Sequence, residues 1–404
     1  MKVCLVSSLF PPRIIGGAEV MVGHAADGLQ AAGHSVSVVT TAPRAETGRE
    51  VVRGVRVHRI RIGNLYWPGA APRAPRALKP LWHAIDLWNP VVHRRLRRIV
   101  RDERPDVVHT NNLGGLSPAV WAAARAEGVP VVHTPHDYAL TCVRAMRLTR
   151  GGRICESRCA TCAVRGAWLR RLSGDVAAVT APSRFVLDRH LELGFVPRAK
   201  PHVVPYAVDR PPGPSPRRTH GPLGILLIGQ LRAHKGVRVA LAALAAAPDL
   251  DVRLDIAGTG ELLDECRTAA ARDARIRVHG FVAGEAKEAL FRDSHVLVCP
   301  STWWEVTGIV ILEAYARGRP AIGSRIGGIP EVIEHGRTGF LVRPGDAGEL
   351  ADRLRELAAN RDLIDTLGRR ALAHADDNRV EAMAARLAAV YAEVRAANGP
   401  RRDI

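Results

Sequence analysis

Two glutamates frame the stretch of this chain most suited to chemistry, residues 301–320, which read STWWEVTGIVILEAYARGRP. Glu305 precedes Gly308, and Glu313 follows a run of Ile309, Val310, Ile311 and Leu312. The residues just ahead, HVLVCPS, form an apolar strand pattern, so TWWEVTG is the loop after it and a helix begins near Gly308. A helix start presents free N–H groups and a positive dipole end, which together suit a diphosphate. Gly308 lets the backbone approach such a group closely. Glu313, about a turn and a half into the helix, could reach two neighbouring hydroxyls such as those of a ribose. Glu305, ahead of the helix, could meet a second polyol. One capping and one surface glutamate would read the same way. The strand, loop and glycine around the pair are what point to a ligand.

A second loop carries cations. After GILLIGQL comes RAHKG, which places Arg232, His234 and Lys235 between Gly229 and Gly236. Lysine is a point charge suited to phosphate, and arginine can grip two phosphate oxygens at once. An ordinary basic loop has the same composition. Near the start, in SSLFPPRIIGGAEV, Gly16 and Gly17 open a helix with Glu19 in its first turn. A lone Gly-Gly is otherwise only a turn. VPVVHT runs into PHDY, so His136 stands just past a strand end, with Asp137 beside it; His109, in DVVHTNN, is a second candidate. Lone histidines are more often satisfied structural residues than ligands.

These loops need a scaffold that delivers them, and the chain supplies it twice. KVCLVSS, HSVSVVTT, GVRVHRI, DVVHT, VPVVHT, VAAVTAPS and PHVVPYAV alternate with helical stretches, and the scheme repeats from GILLIGQL to GFLVRP. Near-continuous apolar strands between helices predict an α/β fold of two Rossmann-like domains, each built on a parallel sheet. The length of 404 residues fits two domains, and 47% apolar but only 4% aromatic residues leaves the packing to small aliphatics. Residues 1–210 form the first domain, with a cysteine-rich insertion at 138–165. The Pro/Gly-rich stretch 211–224 is the linker, 225–375 the second domain, and 376–404 a helix crossing back to the first. Ligands of two such domains are expected in the cleft outside the carboxyl ends of their strands.

The ordered set of motifs resembles the retaining GT-B glycosyltransferases of family 4. Gly229-Gln-Leu-Arg-Ala-His-Lys-Gly236 stands where that family has G-R-L-x-x-x-K-G. Glu305 to Glu313, then Ala314, Ala316, Gly318 and Pro320, match its E-x7-E and E-A-x-A-x-G-x-P phrases, and Gly327-Gly328-Ile-Pro-Glu331 matches its G-G-x-x-E turn. The resemblance runs from Lys2 to about Asp346. It implies a retaining hexosyltransferase using a nucleotide-diphosphate sugar, UDP- or GDP-linked, without a catalytic metal. Lys235 would contact the diphosphate, Glu313 the ribose and Glu305 the sugar. The backbone at Gly308 and Ile309 would meet the distal phosphate, Val282 would read the base through its main chain, and Gly16–Gly17 would close over the phosphates or the acceptor. His136 would contact the transferred sugar. Two departures matter: Gln230 replaces the family's diphosphate arginine, leaving Arg232 to substitute, and Thr307 stands where an aromatic is common.

Four of the seven cysteines, Cys142, Cys155, Cys159 and Cys162, fall in a C-x12-C-x3-C-x2-C pattern that ends like a zinc knuckle. A structural zinc beside His136 is the expectation, with four free thiols as the alternative. Cys4, Cys266 and Cys299 sit in apolar surroundings as packing residues. The net charge of +18 is lopsided: residues 1–210 hold 31 basic against 15 acidic residues, and residues 211–404 hold 27 against 25. Trp67, Trp82 and Trp88 with Arg94, Arg95, Arg97 and Arg98 fit an anionic membrane surface, and equally a solvated helix with core tryptophans. With no long apolar run and no leader pattern, the expected place is the cytoplasm, at the inner membrane face. The expected acceptor is a glycan, a lipid-linked precursor or a small-molecule natural product. A basic nucleic-acid-binding protein and a nucleotide-sugar epimerase are the competing classes, and the first lacks any finger or RNA-binding signature.

Overall fold

The computed structural model describes residues 1–67, 76–211 and 221–399. Most of the expected linker (212–220) and part of the tryptophan–arginine stretch (68–75) lie outside the described residues. The chain divides into two compact units. One comprises Met1–Arg147, Cys155–Ala207 and Val380–Ile404, the other Leu148–Ile154 and Val208–Arg379.

The strands of the first unit are β1 (Lys2–Ser7), β2 (Ser35–Thr41), β3 (Gly48–Val52), β4 (Val55–Ile60), β5 (Val107–Asn111), β6 (Val131–Thr134), β7 (Ala178–Ala181) and β8 (Lys200–Val203). They form one sheet in the order β3-β4-β2-β1-β5-β6-β7-β8, parallel except for the β3–β4 hairpin at the edge. The central strands are β-branched and covered on both faces, as parallel sheets require. Val3 of β1 pairs in register with Val36 on one side and Val107 on the other. The helix Val380–Asn398 adds Met383, Leu387, Val390 and Tyr391 to the core that Val3, Leu5 and Val38 build.

In the second unit β9 (Leu223–Ile228), β10 (Val252–Ala257), β11 (Ile276–Gly280), β12 (Val296–Cys299), β13 (Ala321–Ser324) and β14 (Gly339–Val342) form an all-parallel sheet, ordered β11-β10-β9-β12-β13-β14. Leu223, Ile225, Leu254 and Val298 pack with Leu350 and Leu354 of the helix Ala347–Ala359. The strand order reverses between β9 and β12, and in the first unit between β1 and β5. Loops leaving the carboxyl ends at such a reversal diverge to opposite sides and leave a crevice for ligands. The Lys235 loop follows β9, the Glu305 loop follows β12 and the Gly16–Gly17 loop follows β1.

Candidate active site

Because β9 and β12 are neighbours, the loops 229–236 and 300–308 emerge side by side. The Thr302 N–H donates to the His234 carbonyl at 3.0 Å. Gly236 has a left-handed backbone (φ +77°), and a Cβ there would stand 1.8 Å from the Pro300 carbonyl oxygen, so no other residue lets the loops meet. The contact brings the two key side chains together. Lys235 Nζ donates to Glu305 Oε1 at 2.5 Å, and Ser301 Oγ donates to the same oxygen at 2.9 Å. Trp303 lies beneath the ammonium, 5.1 Å from ring centroid to Nζ. Glu305 is buried, which is tolerable for a carboxylate only with such partners.

The Gly327–Gly328 turn fixes the Glu305 backbone. The Gly328 N–H donates to the Glu305 carbonyl at 2.8 Å, and a Cβ on Gly327 would approach that carbonyl oxygen to 2.3 Å. His234, beside the pair, is lowered to about 4 by burial, with Lys235 and Arg232 adding to the effect. It is therefore neutral, and the positive charge here belongs to Lys235 and the exposed Arg232. Arg232 forms no ion pair among the described residues. Gln230 is exposed as well.

Glu313 takes different partners. It is half-buried on the helix Ile309–Tyr315 and accepts from Lys287 Nζ at 2.6 Å, across from the helix Gly284–Asp293. Gly308 caps the former helix with a left-handed backbone, and Ile309 is its first residue. Thr307, just ahead, is buried with its Oγ1 unpartnered among the described residues. Val282 is half-buried after β11, next to Phe281, whose side chain is 77% exposed. Ser301, Trp303, Lys287 and Phe281 were not singled out by sequence reasoning. Phe281, in HGFV, carried the clearest signal, an aromatic among loop residues.

In the first unit Gly16 is the N-cap of the helix Gly17–Ala31, and Glu19 Oε2 accepts the N–H groups of Gly16 at 2.7 Å and Ile15 at 3.3 Å. Glu19 is thus a cap, and burial raises its pKa despite these bonds. His136 is stacked on Tyr206 with both ring nitrogens occupied: Nδ1 lies 2.7 Å from Tyr206 Oη and Nε2 lies 2.8 Å from Asn111 Oδ1. An amide oxygen only accepts, so Nε2 carries the proton and Nδ1 takes the tyrosine hydroxyl. Burial lowers His136 to about 3 and fixes the neutral form. His109 is a core residue, held between Tyr391 and Thr134.

The zinc expectation is corrected by the geometry. Among the described residues no three His, Cys, Asp or Glu side chains gather closely enough to hold a metal ion. Cys159 is the N-cap of the helix Ala160–Leu172 and shares a thiol hydrogen bond with Cys162, so the C-x2-C pair is spent on a first helical turn. Cys142 is buried, and Cys155 is half-buried with its carbonyl accepting from Arg147 Nε at 3.1 Å. The tryptophans face inward more than out. Trp82 donates to the Tyr66 carbonyl at 2.9 Å and Trp67 to Thr41 Oγ1 at 2.7 Å, while Trp88 is 40% exposed. Among the described residues no helix is long and apolar enough to cross a membrane.

Comparison with known proteins agrees with this layout. Residues 222–360 match the family described as glycosyl transferases group 1, and residues 16–207 match the glycosyl transferase 4-like domain. Glycogen synthase of Mycobacterium tuberculosis is 30% identical over 381 residues, 88% of this chain and 86% of that protein. Among solved structures, sucrose-phosphate synthase from Thermosynechococcus elongatus superposes with a TM-score of 0.78 at 20% identity, covering 98% of this chain and 99% of that one. HepE of Anabaena, solved in complex with UDP, gives 0.73 at 19% identity over 97% of this chain and 100% of that one. Both structures share the fold of two parallel-sheet α/β domains that the sequence predicts.

Proposed function

The chain belongs to the glycosyl transferases group 1 family, and on that premise we propose that it moves a hexose-type sugar from a nucleoside-diphosphate donor to an acceptor hydroxyl with retention of configuration. The Lys235–Glu305 contact carries the reading: a phosphate-type cation and a polyol-type carboxylate meet where the second sheet reverses. Lys235 and Arg232 take the diphosphate, with the backbone of Gly308 and Ile309 on its distal phosphate. Glu305 takes the sugar hydroxyls, Glu313 the ribose, and the main chain at Val282 the base. Within the first unit, His136 is assigned to the transferred sugar and the Gly16–Gly17 helix start to the phosphates or the acceptor.

Fixed positive charge lowers the barrier where the leaving diphosphate gains negative charge. As the bond from the anomeric carbon to the diphosphate oxygen breaks, the acceptor oxygen bonds to that carbon on the same face. Its proton passes to the departing diphosphate oxygen. No glycosyl–enzyme bond forms, so the spaced carboxylate pair of a glycosidase is not required. The reading assigns no step to a metal ion. The relative named glycogen synthase supports a glycan acceptor, and the basic excess of residues 1–210 supports a precursor presented at an anionic surface.

The test is thermal stabilisation by UDP, GDP, ADP, CDP and TDP, each with and without its sugar. A ligand confined to the folded state stabilises by about 2.7 kcal/mol at a hundred times its Kd. One base standing out is expected, and UDP, bound in HepE, is the first to try. A folded protein indifferent to all five overturns the donor assignment.

A further inference from the structure

The first unit contains a cavity of about 300 Å³ that none of the donor residues lines. Ser8, Asn112 and Asp137 border it, the residues that follow β1, β5 and β6, so it lies at the carboxyl ends of the strands, where α/β sheets take ligands. Its far side comes from two helices: Asp86 and Trp82 on Lys79–Leu87, and Arg165 on Ala160–Leu172.

The polar groups of this cavity are mismatched in one direction. Asp86 Oδ1 and Asn112 Oδ1 are buried acceptors with no donor among the described residues. Asp137 Oδ1 takes the Ala139 N–H at 2.7 Å, and its carboxylate has further lone pairs. Arg165 donates through Nη1 to the Ala139 carbonyl at 2.5 Å, and no carboxylate among the described residues lies within 4 Å of it. Buried polar atoms are nearly always paired, so unpaired acceptors beside an under-used guanidinium mark a place where a ligand supplies both kinds of partner. Hydroxyl groups do so, donating to the carboxyl and amide oxygens and accepting from the guanidinium. An anion would meet two carboxylates, and a cation would meet Arg165. Apolar walls, Leu9, Trp82, Leu113 and Leu140 among them, suit the C–H faces of a ring. The volume is at the lower end of small-ligand cavities, roughly 300–1,000 Å³, and holds a sugar ring better than an extended chain.

Resting on the transferase reading above, we propose that this cavity binds the acceptor, that the acceptor's terminal unit is an uncharged polyol ring, and that Asp86, Asn112 and Arg165 select it. Asn112 and the ionised Asp86 accept from its hydroxyls, and Arg165 donates to them.

The test is saturation-transfer NMR on the full chain with methyl α-glucoside, methyl α-mannoside, methyl α-galactoside and myo-inositol as uncharged probes. Glucuronate and glucosamine are the charged controls. The donor site is first filled with the diphosphate that the thermal panel selects, or left empty if none binds. At least one uncharged probe should bind in preference to both charged ones. Asp86→Leu and Arg165→Met should each weaken it about tenfold, the cost of leaving a buried polar partner unpaired. Asp86→Asn provides the reading if Asp86→Leu does not fold. No binding by any uncharged probe, preference for a charged one, or equal binding by the variants overturns the proposal. The donor reading is tested separately by diphosphate binding to Glu313→Ala. Loss there with unchanged polyol binding keeps the two sites distinct, whereas polyol binding without any diphosphate response leaves a polyol site and removes the transferase role.

Discussion

Lys235 and Glu305, 70 positions apart in the chain, meet at 2.5 Å because their loops leave adjacent strands. The pair is asymmetric: Glu305 is 8% exposed at its side chain and Lys235 is 29% exposed. The carboxylate is therefore committed to the protein, whereas the ammonium keeps one side toward solvent. On the proposed assignment, a diphosphate arriving at Lys235 would compete with Glu305 for it, and a sugar hydroxyl would replace what Glu305 loses. Ser301 Oγ, which donates to Glu305 Oε1 at 2.9 Å, would then be the partner Glu305 keeps.

Lys235→Met should then do two things at once. Removing one partner leaves a buried carboxylate short of a cation, which costs up to about 3–5 kcal/mol in a fully buried pair and less here because Lys235 is partly exposed. It should also abolish stabilisation by the diphosphate. Glu305→Gln keeps the shape and should retain diphosphate binding while losing sugar transfer. Thermal melts with and without ligand, set beside an activity assay, separate the two. Equal loss of diphosphate binding in both variants would show that Glu305 acts on the phosphates too.

Glu313 is held by Lys287 at 2.6 Å, on a helix surface where both side chains are partly exposed. Partly exposed pairs contribute little to stability, about 0–1 kcal/mol. Glu313→Ala should accordingly fold with little change in melting temperature and, if Glu313 holds the ribose as proposed, bind the diphosphate about tenfold more weakly. Unchanged affinity in calorimetry removes Glu313 from the nucleotide.

With both nitrogens bonded, His136 presents a fixed, neutral ring. Its pKa of about 3, set by burial, lies below the unfolded value near 6.5. Its contribution to stability is thus complete above about pH 6.5 and is lost as pH falls toward 3. His136→Ala should lower kcat about tenfold or more with donor affinity nearly intact, and the wild-type kcat should show no step near pH 6.5. A step there that vanishes in the variant would mean that the imidazole titrates in the working enzyme.

The sequence shows the fold class because the strand cores, such as LGILLI and VRLDIA, are apolar enough to need cover on both faces. Gly236 and Gly327 are readable as motif glycines, yet their reason, contact with the Pro300 and Glu305 backbones, is tertiary. Spacing treats Glu305 and Glu313 as a pair, but they find different lysines, since partners come from other strands and helices. The C-x2-C spacing serves a zinc knuckle and a first helical turn alike, and only the three-dimensional arrangement, in which no three ligating side chains among the described residues gather, decides between them. In the sequence, Asp86 and Arg165 look like ordinary solvated charges on helices. Only packing reveals that they border a cavity.

Asp86 gives the last test. Burial raises it to about 7, against the lowering effects of the Gly115 N–H, Arg165 and the Ser117 N–H. Arg165, Asp137 and His83 border the same cavity, and Asp137 is itself raised to about 6 by burial. The folded pKa of Asp86 exceeds the unfolded value near 3.9, so the folded state binds more protons and loses stability as pH rises from about 4 to about 7. Asp86→Asn cannot ionise. Its stability relative to wild type should therefore increase by about 1–3 kcal/mol between pH 4 and pH 8, a few degrees in melting temperature. Its amide nitrogen would take the place of the unpartnered oxygen, an offset that does not depend on pH. The measurement is the difference between the two melting temperatures at pH 4, 6 and 8, in which the other titrating groups cancel. A difference that stays constant over that range would show that Asp86 is ionised and solvated in the folded protein, and that its free oxygen is satisfied by water.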